Sequence, residues 1–145
     1  MKRRDFLGRA VLTLPLALGL GSEARAQLEG GIDELTRELG FALELPVKKA
    51  VAVTGALLHI ARERLSTLEF ADVTKFLAGT ERLIFQAANE VNGALPKTID
   101  GLAPILVKLS MPTDSGDKAQ GFIAQYLREK GGRKVVALLQ KAWKG

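Results

Sequence analysis

The chain has 145 residues, 47% of them hydrophobic, a formal net charge of +5 and no cysteine. That length fits one domain of ordinary size. The missing cysteine excludes disulfides, thiolate metal sites and cysteine nucleophiles. The charge is unevenly spread. Residues 1–26 carry five basic and two acidic groups, residues 27–117 nine and thirteen, and residues 118–145 seven and one. A basic tail beside an acidic body suits an anionic membrane surface or nucleic acid. It equally suits neutralisation of one region by the other within the fold, which is the expectation here; nucleic acid is not an expected partner.

Residues 1–26 read as an export signal. Lys2, Arg3, Arg4 and Arg9 form a basic start, residues 10–20 an apolar run interrupted by Pro15, and Ala24 and Ala26 the small positions before a cut. Arg3-Arg4 followed by x-Phe6-Leu7 matches the twin-arginine pattern read by a receptor. Arg25 beside the cut also disfavours the general secretion route. The alternative is a membrane anchor, but an apolar run of about 11 residues falls short of the roughly 20 that a spanning helix needs. The expected location is therefore the periplasm or the exterior. The expected mature chain is a single helical domain over residues 27–145, of the size that buries one core without staples.

Helical spacing begins at Leu28, Ile32, Leu35 and Leu39, with Asp33 and Arg37 as an i,i+4 pair and a stop near Gly40. Pro46 opens the longest periodic segment, residues 46–65, with Val47, Ala50, Val51, Thr54, Leu57, Leu58, Ala61 and Leu65 recurring at three and four. Its broad apolar arc marks the central core helix, and Gly55 within it marks a place for close helix approach. Ser66-x-x-Glu69 is a capping box for a helix carrying Phe70, Val73, Phe76 and Leu77, closed by Gly79. Thr80 caps the next, with Leu83, Ile84, Ala87, Ala88 and Val91 inward and Gly93 at its end.

Residues 93–99 form a loop around Pro96. Asp100 caps a short helix through Ser110, and Thr113 or Asp114 caps one carrying Ala119, Phe122, Ile123, Tyr126 and Leu127. Beyond Gly131-Gly132, a last helix over 133–144 sets Val135, Leu138, Leu139 and Ala142 on one face, Lys134, Lys141 and Lys144 opposite, and Trp143 at the edge. The fold class is all-α, a compact bundle of six to seven short helices after a cleaved N-terminal signal.

Leu65-Ser66, Glu69-Phe70-Ala71, Lys75, Gly79 and Leu83 form one block. Leu109, Pro112-Thr113-Asp114, Tyr126, Lys130-Gly131-Gly132, Val136, Leu138-Leu139 and Lys141 form a second. On these blocks the chain resembles the VcgC/VcgE type of short exported bacterial proteins, a domain of unknown function, over about residues 33–144. It departs from that type in its twin-arginine signal, in the longer 92–100 linker, and in Gly116 and Gly121. The resemblance implies no activity, cofactor or site residue.

No catalytic constellation is visible. His59, the one histidine, stands one turn from Glu63. A structural metal needs three or four ligands, and no second His or Cys supplies them, so a polar helix edge is expected and no cofactor is assigned. Asp114-Ser115-Gly116-Asp117 lacks the span and terminal Glu of a calcium loop and reads as a cap. Ser66 and Glu69 are accounted for by capping rather than nucleophilic chemistry. Arg128, Lys130, Arg133 and Lys134 surround a helix N-terminus that could meet phosphate, although a solvated basic hinge is the simpler reading.

The last helix offers Arg133, Lys134, Lys141, Trp143 and Lys144 for contact with a membrane or an anion, or else docks on the core. The resulting expectation is a non-catalytic binding or structural module of the periplasm. The alternative is a peripheral membrane protein using the basic C-terminal helix. The expected partners are an anionic membrane surface or another envelope protein.

Overall fold

The computed structural model describes residues 31–144. The signal residues Arg3, Arg4, Phe6, Leu7, Ala24 and Ala26 lie outside the described residues. Those described form an all-α bundle: α1 Gly31–Leu43, α2 Val47–Arg64, α3 Thr67–Phe76, α4 Thr80–Val91, a 3-10 turn Ile99–Gly101, α5 Leu102–Lys108, α6 Ser115–Glu129 and α7 Arg133–Trp143. None of these helices is long and apolar enough to cross a membrane.

α2 is the axis of the bundle. It is buried without a break from Ala52 to Leu58 and packs against α1, α3, α4, α6 and α7. A helix that is apolar nearly all round has no solvent side to offer, so its neighbours must enclose it. The approach of α4 depends on Gly55. A Cβ there would stand 2.3 Å from the Ala87 Cβ and 2.9 Å from the Leu83 carbonyl oxygen. Glycine costs about 1 kcal/mol of helix propensity relative to alanine, and here it lets two backbones come together. The adjacent Thr54 is fully buried, and its hydroxyl has no hydrogen-bond partner.

The capping box forms as expected. The Ser66 N–H donates to Glu69 Oε1 at 3.0 Å, and the Glu69 N–H donates to Ser66 Oγ at 3.1 Å. Other local expectations are corrected. α1 does not stop near Gly40 but runs to Leu43. Its closure is a Schellman arrangement with Glu44 in the left-handed region, φ 58°. There the Leu45 N–H donates to the Gly40 carbonyl at 2.8 Å and the Glu44 N–H to Phe41 at 3.3 Å. Gly40 instead faces Ala50, whose Cβ would lie 3.3 Å from a Cβ added there.

Asp33 turns from Arg37 to α4, where Arg82 Nη2 donates to both carboxylate oxygens at 3.2 Å. Gly79, φ 91°, is the N-cap of α4 rather than the end of α3, and Thr80 is the first helical residue. The Thr80 hydroxyl donates back to the Leu77 carbonyl at 2.7 Å. Neither Asp100 nor Asp114 makes a side-chain cap. Asp114 pairs with Lys118 at 3.3 Å instead.

Candidate functional site

The corner between α1 and α2 carries the most exposed large apolar side chain described, Phe41 at 88%, together with Val47 at 65%. Its geometry follows from local sequence. On α1 the buried row is Ile32, Leu35, Thr36, Leu39 and Gly40. Phe41 lies two positions beyond Leu39, about 200° round the helix, and so points away from the core. Glu44 closes the helix and Pro46 starts the next. Arg37, Glu38, Phe41, Leu45 and Val47 line an open hollow of about 920 Å³. A second hollow of about 420 Å³ shares Arg37 and Val47 and continues between α1, α2 and α4 past Lys48, Val51 and Arg82. Apolar side chains within a charged rim are the usual anatomy of a protein-binding patch. Val47, expected in the core row of α2, is exposed because the first turn of that helix projects at the corner.

His59 borders a different hollow of about 410 Å³, with Arg62, Glu81, Ile84, Phe85 and Leu95. Its Nδ1 is 2.8 Å from the Pro96 carbonyl oxygen. A carbonyl can only accept, so the proton is on Nδ1. Nε2 lies 3.8 Å from Glu63 Oε2, beyond hydrogen-bond length. Arg62 Nη1 donates to Glu81 Oε1 at 2.6 Å, so that pair is self-neutralised. The described residues hold no group of three or more His, Cys, Asp or Glu placed to bind a metal ion.

The five α7 residues separate into two sets. Trp143 is buried at 6% exposure, and its indole N–H donates to the Leu57 carbonyl at 3.0 Å. Lys141 Nζ donates to Glu69 Oε2 at 2.7 Å, and Lys134 lies 3.1 Å from Asp72 Oδ2. Both lysines thus tie α7 to α3. Arg133 and Lys144 are exposed. The helix is docked by Val135, Val136, Leu139, Ala142 and Trp143. What it presents outward is charge without an aromatic anchor.

Ser66 and Glu69 are occupied in the cap, and the hydrogen bond from Lys141 holds the Glu69 carboxyl below its ordinary range. The 114–117 segment is the start of α6, with Ser115 and Gly116 buried, and forms no cation loop. Tyr126 donates its hydroxyl to the Glu34 carboxylate across the α1–α6 contact. Burial, then that carboxylate, pushes the phenol well above its ordinary value.

No family model matches the chain, and no curated protein or solved structure matches it either. The Phe41–Val47 corner is not legible in a first helix that stops near Gly40, three residues short of its observed end at Leu43. The position of Phe41 off the Leu35–Leu39 row was the signal that could have revealed it.

Proposed function

We propose that the protein is a non-catalytic helical binding module of the periplasm, with the Phe41–Val47 corner as its contact surface. The observation that carries this reading is the exposure of Phe41 and Val47 around an open hollow. Singly exposed apolar residues are ordinary, whereas adjacent ones within a charged rim mark interaction sites. The compartment rests on the signal pattern of residues 1–26. The likeness to the VcgC/VcgE type, also part of this reading, adds no activity.

A photo-crosslinking side chain at position 41, introduced in the cell of origin, tests the surface. A discrete adduct with an envelope component that disappears in V47D supports it. An unchanged adduct in V47D, or no adduct, removes the corner as the contact surface. Turnover of ester, phosphate or glycoside substrates by the purified chain overturns the non-catalytic reading. Replacing Arg3-Arg4 by a lysine pair tests the route, with loss of export expected.

A further inference from the structure

We propose that the Phe41–Val47 corner takes a second copy of this chain in a two-fold pair, an inference that rests on the reading of that corner as the contact surface. A two-fold interface is made by the same patch on both copies, so the patch must complement itself. The charges here do so. α1 ends without a basic residue in its last turn, and the exposed Glu44 follows it. α2 begins without an acidic residue or a side-chain cap, and Lys48 and Lys49 stand in its first turn. A helix C-terminus is the negative end of the macrodipole and an N-terminus the positive end. Glu44 and the two lysines therefore each stand at the helix end that repels them.

None of the ion pairs among the described residues involves Glu44, Lys48 or Lys49. Glu44 lines the larger hollow and Lys48 the smaller, and the exposed Val47 belongs to both. The corner thus has a negative side and a positive side about an apolar middle of Phe41 and Val47. A two-fold axis running between the sides lays the negative side of each copy on the positive side of the other. Glu44 then meets the partner's Lys48 twice over, and the two apolar middles cover one another. Arg37 and Glu38 add one charge of each sign to the rim, which stays close to balance. A balanced rim gives little attraction to a polyanion or to a strongly acidic or basic protein, whereas complementary potentials select a partner of matching pattern. The pattern that matches is its own rotated image.

The test uses the untagged chain purified from its cell of origin. Sedimentation velocity at micromolar to submillimolar concentration should show a reversible monomer–dimer equilibrium that V47D abolishes. E44K and K48E should each raise the dissociation constant at least about tenfold, since every reversal acts twice in a two-fold pair. Both reversals put the new charge at the helix end that favours it, so neither should lower the thermal midpoint. An equimolar mixture of E44K and K48E should form a mixed dimer tighter than either variant alone, because each reversed charge then faces an opposite one. A dimer indifferent to both reversals overturns the proposal and places the second copy on another face. A chain that stays monomeric, while the crosslinker at position 41 captures a different envelope component, overturns the second copy and leaves the corner as the contact surface. A monomer with no adduct at position 41 removes both.

Discussion

Trp143 donates its indole N–H to the backbone carbonyl of Leu57, 3.0 Å away and 86 residues earlier in the chain. The contact joins the last helix to the middle of the first long one. It turns the most interface-like residue of the C-terminus into a core residue.

Removal of residues 133–145 is therefore expected to unfold the protein rather than merely subtract a basic tail. Each large apolar side chain taken from the core costs about 1.5–3 kcal/mol, and α7 contributes Val135, Val136, Leu139 and Trp143. Their sum approaches the whole stability of a domain, about 5–15 kcal/mol. Loss of the cooperative urea transition checks this. Binding to anionic vesicles is better examined with R133A/K144A, which leaves the docked face and the two lysine pairs to α3 intact. A membrane role for α7 requires that this double variant lose most of its sedimentation with such vesicles.

Gly55→Ala should destabilise, although alanine is the better helix former. The gain of about 1 kcal/mol in propensity is outweighed by a Cβ placed 2.3 Å from that of Ala87. Overpacking of this kind costs about 1–3 kcal/mol, so a net loss in urea-unfolding free energy is expected. Ala87→Gly in the same chain should recover part of it.

Thr54→Val should raise stability by about 1 kcal/mol, because it removes a buried hydroxyl that bonds to nothing while keeping the shape. Thr54→Ser, which keeps the hydroxyl and deletes the methyl, should lower it. A shift of the thermal midpoint in the same direction for both variants would contradict this account.

Alkali should weaken the fold through Tyr126. Its phenol is raised above the ordinary value of 10.0, chiefly by burial and then by the Glu34 carboxylate. The unfolded chain releases that proton at the ordinary value while the folded chain retains it. The stability from this group is fully present below the ordinary value and is lost as pH rises through the folded one. Urea midpoints of the wild type should fall above about pH 10. Those of Tyr126→Phe should start lower, since Glu34 loses its donor, and lack this component of the fall.

Where residues interact within one turn, the sequence was legible. Ser66 and Glu69 are three apart, and their capping box is as read. The same letters misled where a local signal competed with a distant partner. Gly40 has the composition of a helix stop, yet its bare backbone faces Ala50. Asp33 had Arg37 within reach and pairs with Arg82 of another helix. Asp100 and Asp114 are cap residues by type without making a side-chain cap. At the candidate sites, the His59–Glu63 spacing was visible, whereas the Pro96 carbonyl was not, being 37 residues away. The Phe41 surface needed the end of α1 and the direction of its core row together.

The sequence by itself determined the helical class, the central position of α2 and the need for a small residue at Gly55, because 3.6-residue periodicity and capping act over a few neighbouring residues. Only the tertiary structure decided that Trp143 is buried, that two exposed lysines of α7 pair with α3, that Phe41 and Val47 are left outside the core, and that His59 is held by Pro96. Burial and tautomer depend on which distant backbone arrives at a side chain, and that is settled by packing of the whole bundle.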